Sequence, residues 1–117
     1  MERPLKSYLR TFRRRWGLTQ RELAFLIGVE SATTVSRLEQ LKRSPSLGSA
    51  LGCLIVFETT AVEIFPALFA EARETVRERA NELYQELQGD PSATTRIKLD
   101  FLENFLARAD WSATKNV

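Results

Sequence analysis

Thr19-Gln20-Arg21-Glu22 opens a short apolar-periodic run, "QRELAFLI", that stops at Gly28, and a second run carrying Val35 and Leu38 begins just beyond it. The spacing fits a capping box, in which the Thr19 hydroxyl accepts from the Glu22 amide and the Glu22 carboxylate accepts from the Thr19 amide. A glycine after the last periodic residue is a helix stop. The pattern therefore calls for two short helices joined by a turn, a unit that needs neighbours to cover its apolar faces.

Those neighbours are legible on both sides. Leu5, Leu9, Phe12 and Trp16 recur at steps of four, three and four, the spacing of one buried face, and Gly17 ends that helix. Arg10, Arg13 and Arg14 point elsewhere. The helix beyond Gly28 is expected to begin after Ser31, whose hydroxyl is placed to cap the amides of Thr33 or Thr34. It then turns Val35 and Leu38 inward and Thr33, Ser36 and Arg37 outward, with Thr34 outside the core. "SPSLGSALGCLIVF" supplies a fourth amphipathic segment, and Thr60-Ala61-Val62-Glu63 is a second capping box, opening a short fifth helix through Phe65. Leu23, Ala24, Val35, Leu38 and Leu54 are the expected core. The fold class is all-α: five helices over residues 1–65, a helical extension over 66–110 and a tail over 111–117.

Composition narrows the function. An apolar content of 44% with five Gly and four Pro describes a globular helical chain. The single Cys53 lies in the apolar run "LGCLIVF", so it forms no intramolecular disulfide and reads as a small buried residue in a reducing compartment. The N-terminus lacks the apolar stretch of a signal peptide, and no apolar run approaches the roughly 18 residues of a membrane span. A cytoplasmic protein without membrane contact is expected. There is no His, no metal-ligand spacing and no glycine-rich phosphate loop, so no catalytic residue, metal site or cofactor is expected.

Charge is unevenly divided. Residues 1–46 hold ten Lys/Arg against four Glu, a net of +6, whereas residues 47–117 hold seven against eleven acidic groups, a net of −4, which together give the +2 of the chain. A basic half joined to an acidic one points to a polyanion-binding part that carries a non-binding extension.

In the extension, Pro66 permits a helix start, and apolar positions 69, 72, 76, 80, 83 and 87 form a stripe about five turns long. "GDPS" at 89–92 breaks it. A second amphipathic helix follows with Ile97, Phe101, Leu102, Phe105 and Leu106. The two either pack back on the preceding bundle or supply an interface built on Phe69, Val76, Leu83, Leu87, Phe101 and Phe105.

Taken in order, Gly17 to Ala24, Ile27 to Val29, Thr34 to Glu39, Lys42 to Leu47 and Val62 to Phe65 resemble the blocks of the phage repressor and Cro helix-turn-helix family, often called XRE, over roughly residues 5–65. Two departures stand out. Glu30 and Ser31 both separate Val29 from Ala32 where the family has a single capping residue, and we read Glu30 as an insertion that lengthens the turn. Opening the helix at Glu30 instead would rotate its face by about 100° and bury Thr34. The second departure is Leu41, which stands where the family has Gly, and extending the third helix by a turn would bury it.

The resemblance implies double-stranded DNA as the partner, read in the major groove by the third helix. It places Ala32, Thr33 and Arg37 against base edges, with Ser36 beside them and Ser31 as cap. Arg37 is suited to donate two hydrogen bonds to guanine O6 and N7. Its alternative is an ion pair with Glu39 or Glu30. Gln20, Lys42, Arg43 and the amides near Ser46 are matched to phosphates. Similar repressors bind two half-sites, which implies a homodimer on an inverted repeat. The competing expectation is an interaction module, an antitoxin or phage-element adaptor, whose extension binds a partner protein.

Overall fold

Helix α1 spans Leu9–Arg15, α2 Gln20–Ile27, α3 Ala32–Gln40, α4 Leu47–Phe57, α5 Ala61–Ile64, α6 Pro66–Glu86 and α7 Ala93–Leu106. This computed structural model describes residues 7–42 and 44–108. It is all-helical over those residues, which fall into two compact units divided between Ala70 and Glu71.

Local chemistry sets the boundaries of the first unit. At α2 both arms of the capping box form: the Glu22 amide donates to Thr19 Oγ1 at 3.0 Å and the Thr19 amide to Glu22 Oε1 at 2.9 Å. Gly28 ends α2 at φ 76°, a left-handed conformation that costs a residue without a Cβ little. The Thr60 and Glu63 box opens α5 in the same way. Ser46 caps α4, its hydroxyl accepting from the Ser49 amide at 3.1 Å.

Helices this short are marginal alone, so their stability comes from packing. Leu9, Leu23, Val35, Leu38, Cys53 and Ile64 are fully buried at the centre of the unit, and Phe12 meets Phe57 with ring centroids 5.7 Å apart. Gly52 allows α4 to approach α2 closely, since a Cβ there would stand 3.1 Å from the Ile27 side chain. The Tyr8 amide donates to the Ile64 carbonyl at 2.8 Å and joins the start of α1 to the end of α5.

Several expectations are corrected. Trp16 is 69% exposed and is not part of the α1 face, because that helix ends at Arg15 and its last turn leads into the Gly17 turn. Leu5 lies outside the described residues. Leu54 is half-buried at the core edge, and Thr34 is buried, lying one turn before Leu38 at the margin of the inward face. Its burial accompanies a helix that starts at Ala32, not at Glu30.

Leu41 does not extend α3. It takes the left-handed cap conformation itself at φ 52°, with the Leu41 and Lys42 amides closing on the Leu38 and Arg37 carbonyls at 3.2 and 3.0 Å. The apolar contact of its half-buried side chain with the core offsets the steric cost of that backbone.

In the second unit Ala80 of α6 and Thr95, Leu99 and Leu102 of α7 are buried. Ser92 caps α7, and Asp90 accepts from the Ser92 amide and the Thr95 hydroxyl at 3.0 and 2.9 Å. Tyr84 donates to Glu103 at 2.9 Å, linking the two helices. The inward face of α7 therefore runs through Thr95, Leu99 and Leu102. Ile97 and Phe101 are exposed, because each lies about 200° around the helix from Leu99.

Candidate nucleic-acid interface

The geometry of α3 is set by a buried polar cluster. Arg13, on α1, is buried rather than solvated. Its Nε donates to Glu39 Oε2 at 2.5 Å and its Nη2 to Glu39 Oε1 at 3.4 Å, with the two side chains only 9% and 4% exposed. Arg13 Nη1 also donates to the Leu18 carbonyl at 2.8 Å, and Gln20 Nε2 donates to Glu39 Oε1 at 3.1 Å. One carboxylate at the end of α3 thus holds α1 and the start of α2, while Arg13 itself also holds the α1–α2 turn. Arg13 is thereby removed from the basic surface expected of α1, since its charge is matched inside the protein. Charge counting could not show this, because its partner lies 26 positions away.

With Glu39 engaged by Arg13, the ion pair weighed for Arg37 does not form. Arg37 is exposed and takes part in no ion pair among the described residues. Thr33, Ser36 and Arg37 share one outward face at steps of three and one, and Gln40 completes it at the next turn. Gln40 was not among the expected site residues, although the same periodicity points to it. Its Nε2 donates to Ser36 Oγ at 3.1 Å.

At the start of α3, Ala32 is half-buried and Ser31 exposed. Ser31 is the N-cap by position, but its hydroxyl accepts no helix amide, which corrects the capping bond expected from sequence. The backbone closes the first turn instead, with the Thr34 amide donating to the Ser31 carbonyl at 3.1 Å. Lys42 and Ser46 are exposed. Arg43 lies outside the described residues. The phosphate-matched Gln20 is half-buried and already gives one N–H to Glu39, leaving the second N–H of its amide.

The expected interface residues of the extension are distributed differently. Val76 and Leu83 are about half exposed and Phe101 more so, while Leu87 and Phe105 are half-buried. Phe69 belongs to the first unit, at the start of α6. Val76, Arg79, Ala80, Leu83, Phe101, Leu102 and Phe105 line an open apolar groove of about 400 Å³ in the second unit.

Among the described residues no group of His, Cys, Asp and Glu is arranged to hold a metal ion, and no helix is long and apolar enough to cross a membrane. Cys53 is fully buried, and burial, reinforced by the Glu39 charge, pushes its thiol up to about 11.

Two short helices joined through Gly28, the second presenting a polar face and a guanidinium with no ion-pair partner among the described residues, define a helix-turn-helix DNA-binding domain. Residues 9–64 match the family described as Helix-turn-helix, and the domain they form is of the DNA-binding, XRE kind. No curated protein and no solved structure matches the chain.

Proposed function

We propose that the protein is a sequence-specific transcriptional regulator that lays α3 in the major groove and binds as a homodimer to an inverted repeat in the cytoplasm. The observation that carries this reading is Arg37, exposed and without an ion-pair partner among the described residues, on the same face as Thr33, Ser36 and Gln40. A planar five-donor guanidinium on that face suits guanine O6 and N7. Thr33 and Ala32 bring methyl groups suited to a thymine methyl. Ser31, Lys42, Arg43, Ser46 and the second N–H of Gln20 serve phosphates, fixing register without reading sequence.

Selection of bound sequences from random duplex DNA tests the reading, followed by titration of variants on the selected site. Arg37→Ala should cost about 1–3 kcal/mol and relax preference at one base position, whereas Lys42→Ala should weaken all sequences alike and reduce the salt slope by about 1. If each domain neutralises about four phosphates, log K should fall against log salt with a slope near −3.6 per domain. A uniform loss for Arg37→Ala refutes its base-reading role, and a slope near zero refutes DNA binding through this face. The dimer rests on the apolar groove of the second unit, which also supports the competing reading of a partner protein bound there. Light scattering separates the two: a monomer at tens of micromolar favours the partner protein.

A further inference from the structure

We propose that two copies of the chain pair through antiparallel α6 helices, with Ala80 facing Leu83 of the second copy, Val76 facing its Leu87, and Arg79 lying between its Glu82 and Glu86. The inference rests on the homodimer proposed above and specifies how it is built. It uses only residues of the second unit.

The apolar stripe of α6 is incompletely covered by α7. Ala80 is buried, but Val76 is 52% exposed, Leu83 44% and Phe101 62%. Side chains of this size around an open groove form a surface that association removes from water. The stripe pairs large with small residues when the helices run in opposite directions: Leu83 fits over Ala80 of the second copy, which allows close approach, and Val76 meets Leu87. Both contacts occur twice about the two-fold axis.

Charge selects the direction. On the side of the stripe away from Tyr84, which is tied to α7 through Glu103, α6 carries Arg79, Glu82 and Glu86. Arg79 lies on the groove rim. All three are exposed, and among the described residues none takes part in an ion pair. An antiparallel two-fold brings this flank against the same flank of the second copy. In the stated register Arg79 then lies about 3 Å along the axis from the levels of both Glu82 and Glu86, at 1.5 Å of rise per residue. Parallel pairing brings this flank against the opposite one and sets Arg79 beside Arg77, a like-charge contact. Moving the antiparallel register by one turn, so that Val76 meets Leu83, sets Arg79 against Arg79. The stated register brings Glu82 about 1.5 Å along the axis from Glu82 of the second copy, but it sets Arg79 near two carboxylates of that copy, Glu82 and Glu86, where the shifted register offers it Glu82 alone, and it matches small residues to large ones.

Charge reversal with rescue tests it, read by sedimentation equilibrium of the full chain with circular dichroism as a check on helix content. Arg79→Glu, and separately Glu82→Arg with Glu86→Arg, should each raise the dimer dissociation constant about tenfold or more, and all three together should return it to within about threefold of the original. A chain that dimerises but ignores the single reversals, or is not rescued by the combination, overturns this register and leaves the dimer standing. A monomeric starting protein overturns the dimer itself. Cross-linking gives an independent measure in a Cys53→Ser background: a mixture of Val76→Cys and Leu87→Cys chains should form a disulfide-linked pair that neither forms alone. Cross-linking of the Val76→Cys chain with itself would show parallel pairing and overturn the proposal.

Discussion

Glu39→Gln is the sharpest probe of what holds the recognition helix in place. The carboxylate accepts from Arg13 through both oxygens, and Oε1 also accepts from Gln20. A glutamine has one acceptor oxygen and one NH₂ group. If the oxygen faces Arg13 Nε, the NH₂ meets the Gln20 and Nη2 donors; if it is flipped, the NH₂ meets Nε. Either way donor faces donor, and the guanidinium stays buried without a counter-charge. Removing one member of a buried pair costs about 3–5 kcal/mol, and no discount for solvent applies with side chains 9% and 4% exposed. For a domain of this size each kcal/mol lowers Tm by about 4–8 °C. Thermal and urea unfolding followed by circular dichroism should therefore show a fall in Tm of at least about 12 °C. The paired change Arg13→Met with Glu39→Leu should recover most of that loss, because it leaves no orphan charge. A cost below about 1 kcal/mol for Glu39→Gln, the size of a surface pair, would refute the reasoning.

Glu58 ends α4 in the left-handed region at φ 49° with an exposed side chain, so Glu58→Gly should stabilise the protein by about 1 kcal/mol, read as a higher urea midpoint. Cys53 should resist thiol reagents at pH 8 in the native state and react at the rate of unfolding; its thiol pKa is raised from 9.0 to about 11, so this contribution to stability is complete below pH 9 and lost as pH rises towards 11. Deleting Glu30, exposed in the turn before Ser31, should leave a folded protein with DNA affinity within about tenfold of the original; a larger loss in band-shift titrations would show that the turn length sets the α3 register.

Much of the first unit was legible because its signals are local. A capping box spans four residues and a glycine stop one, so Thr19 with Glu22, Gly28, and Thr60 with Glu63 announce α2 and α5 wherever the rest of the chain goes. Periodicity likewise placed Leu23, Val35 and Leu38 inside and Thr33 and Arg37 outside, with Ser36 half-buried between them. Properties that depend on distant partners could not be read this way. Arg13 looks like its neighbours Arg14 and Arg15 until Glu39 is brought beside it, and only that contact shows which guanidinium is structural and leaves Arg37 without its expected partner. Thr34, Leu41 and Trp16 each sit at the margin of a face or the end of a helix, where a step of one residue, about 100°, decides between core and solvent. On α7, both Leu99 and Phe101 are compatible with an amphipathic helix, and the side on which α6 packs buried Leu99 and left Phe101 exposed. The sequence by itself determined where α2 and α5 begin and where α2 stops, because hydrogen bonds and a left-handed glycine within four residues decide that. Tertiary structure alone decided which charges are neutralised and which faces remain open, because those depend on groups that meet only when the chain has folded.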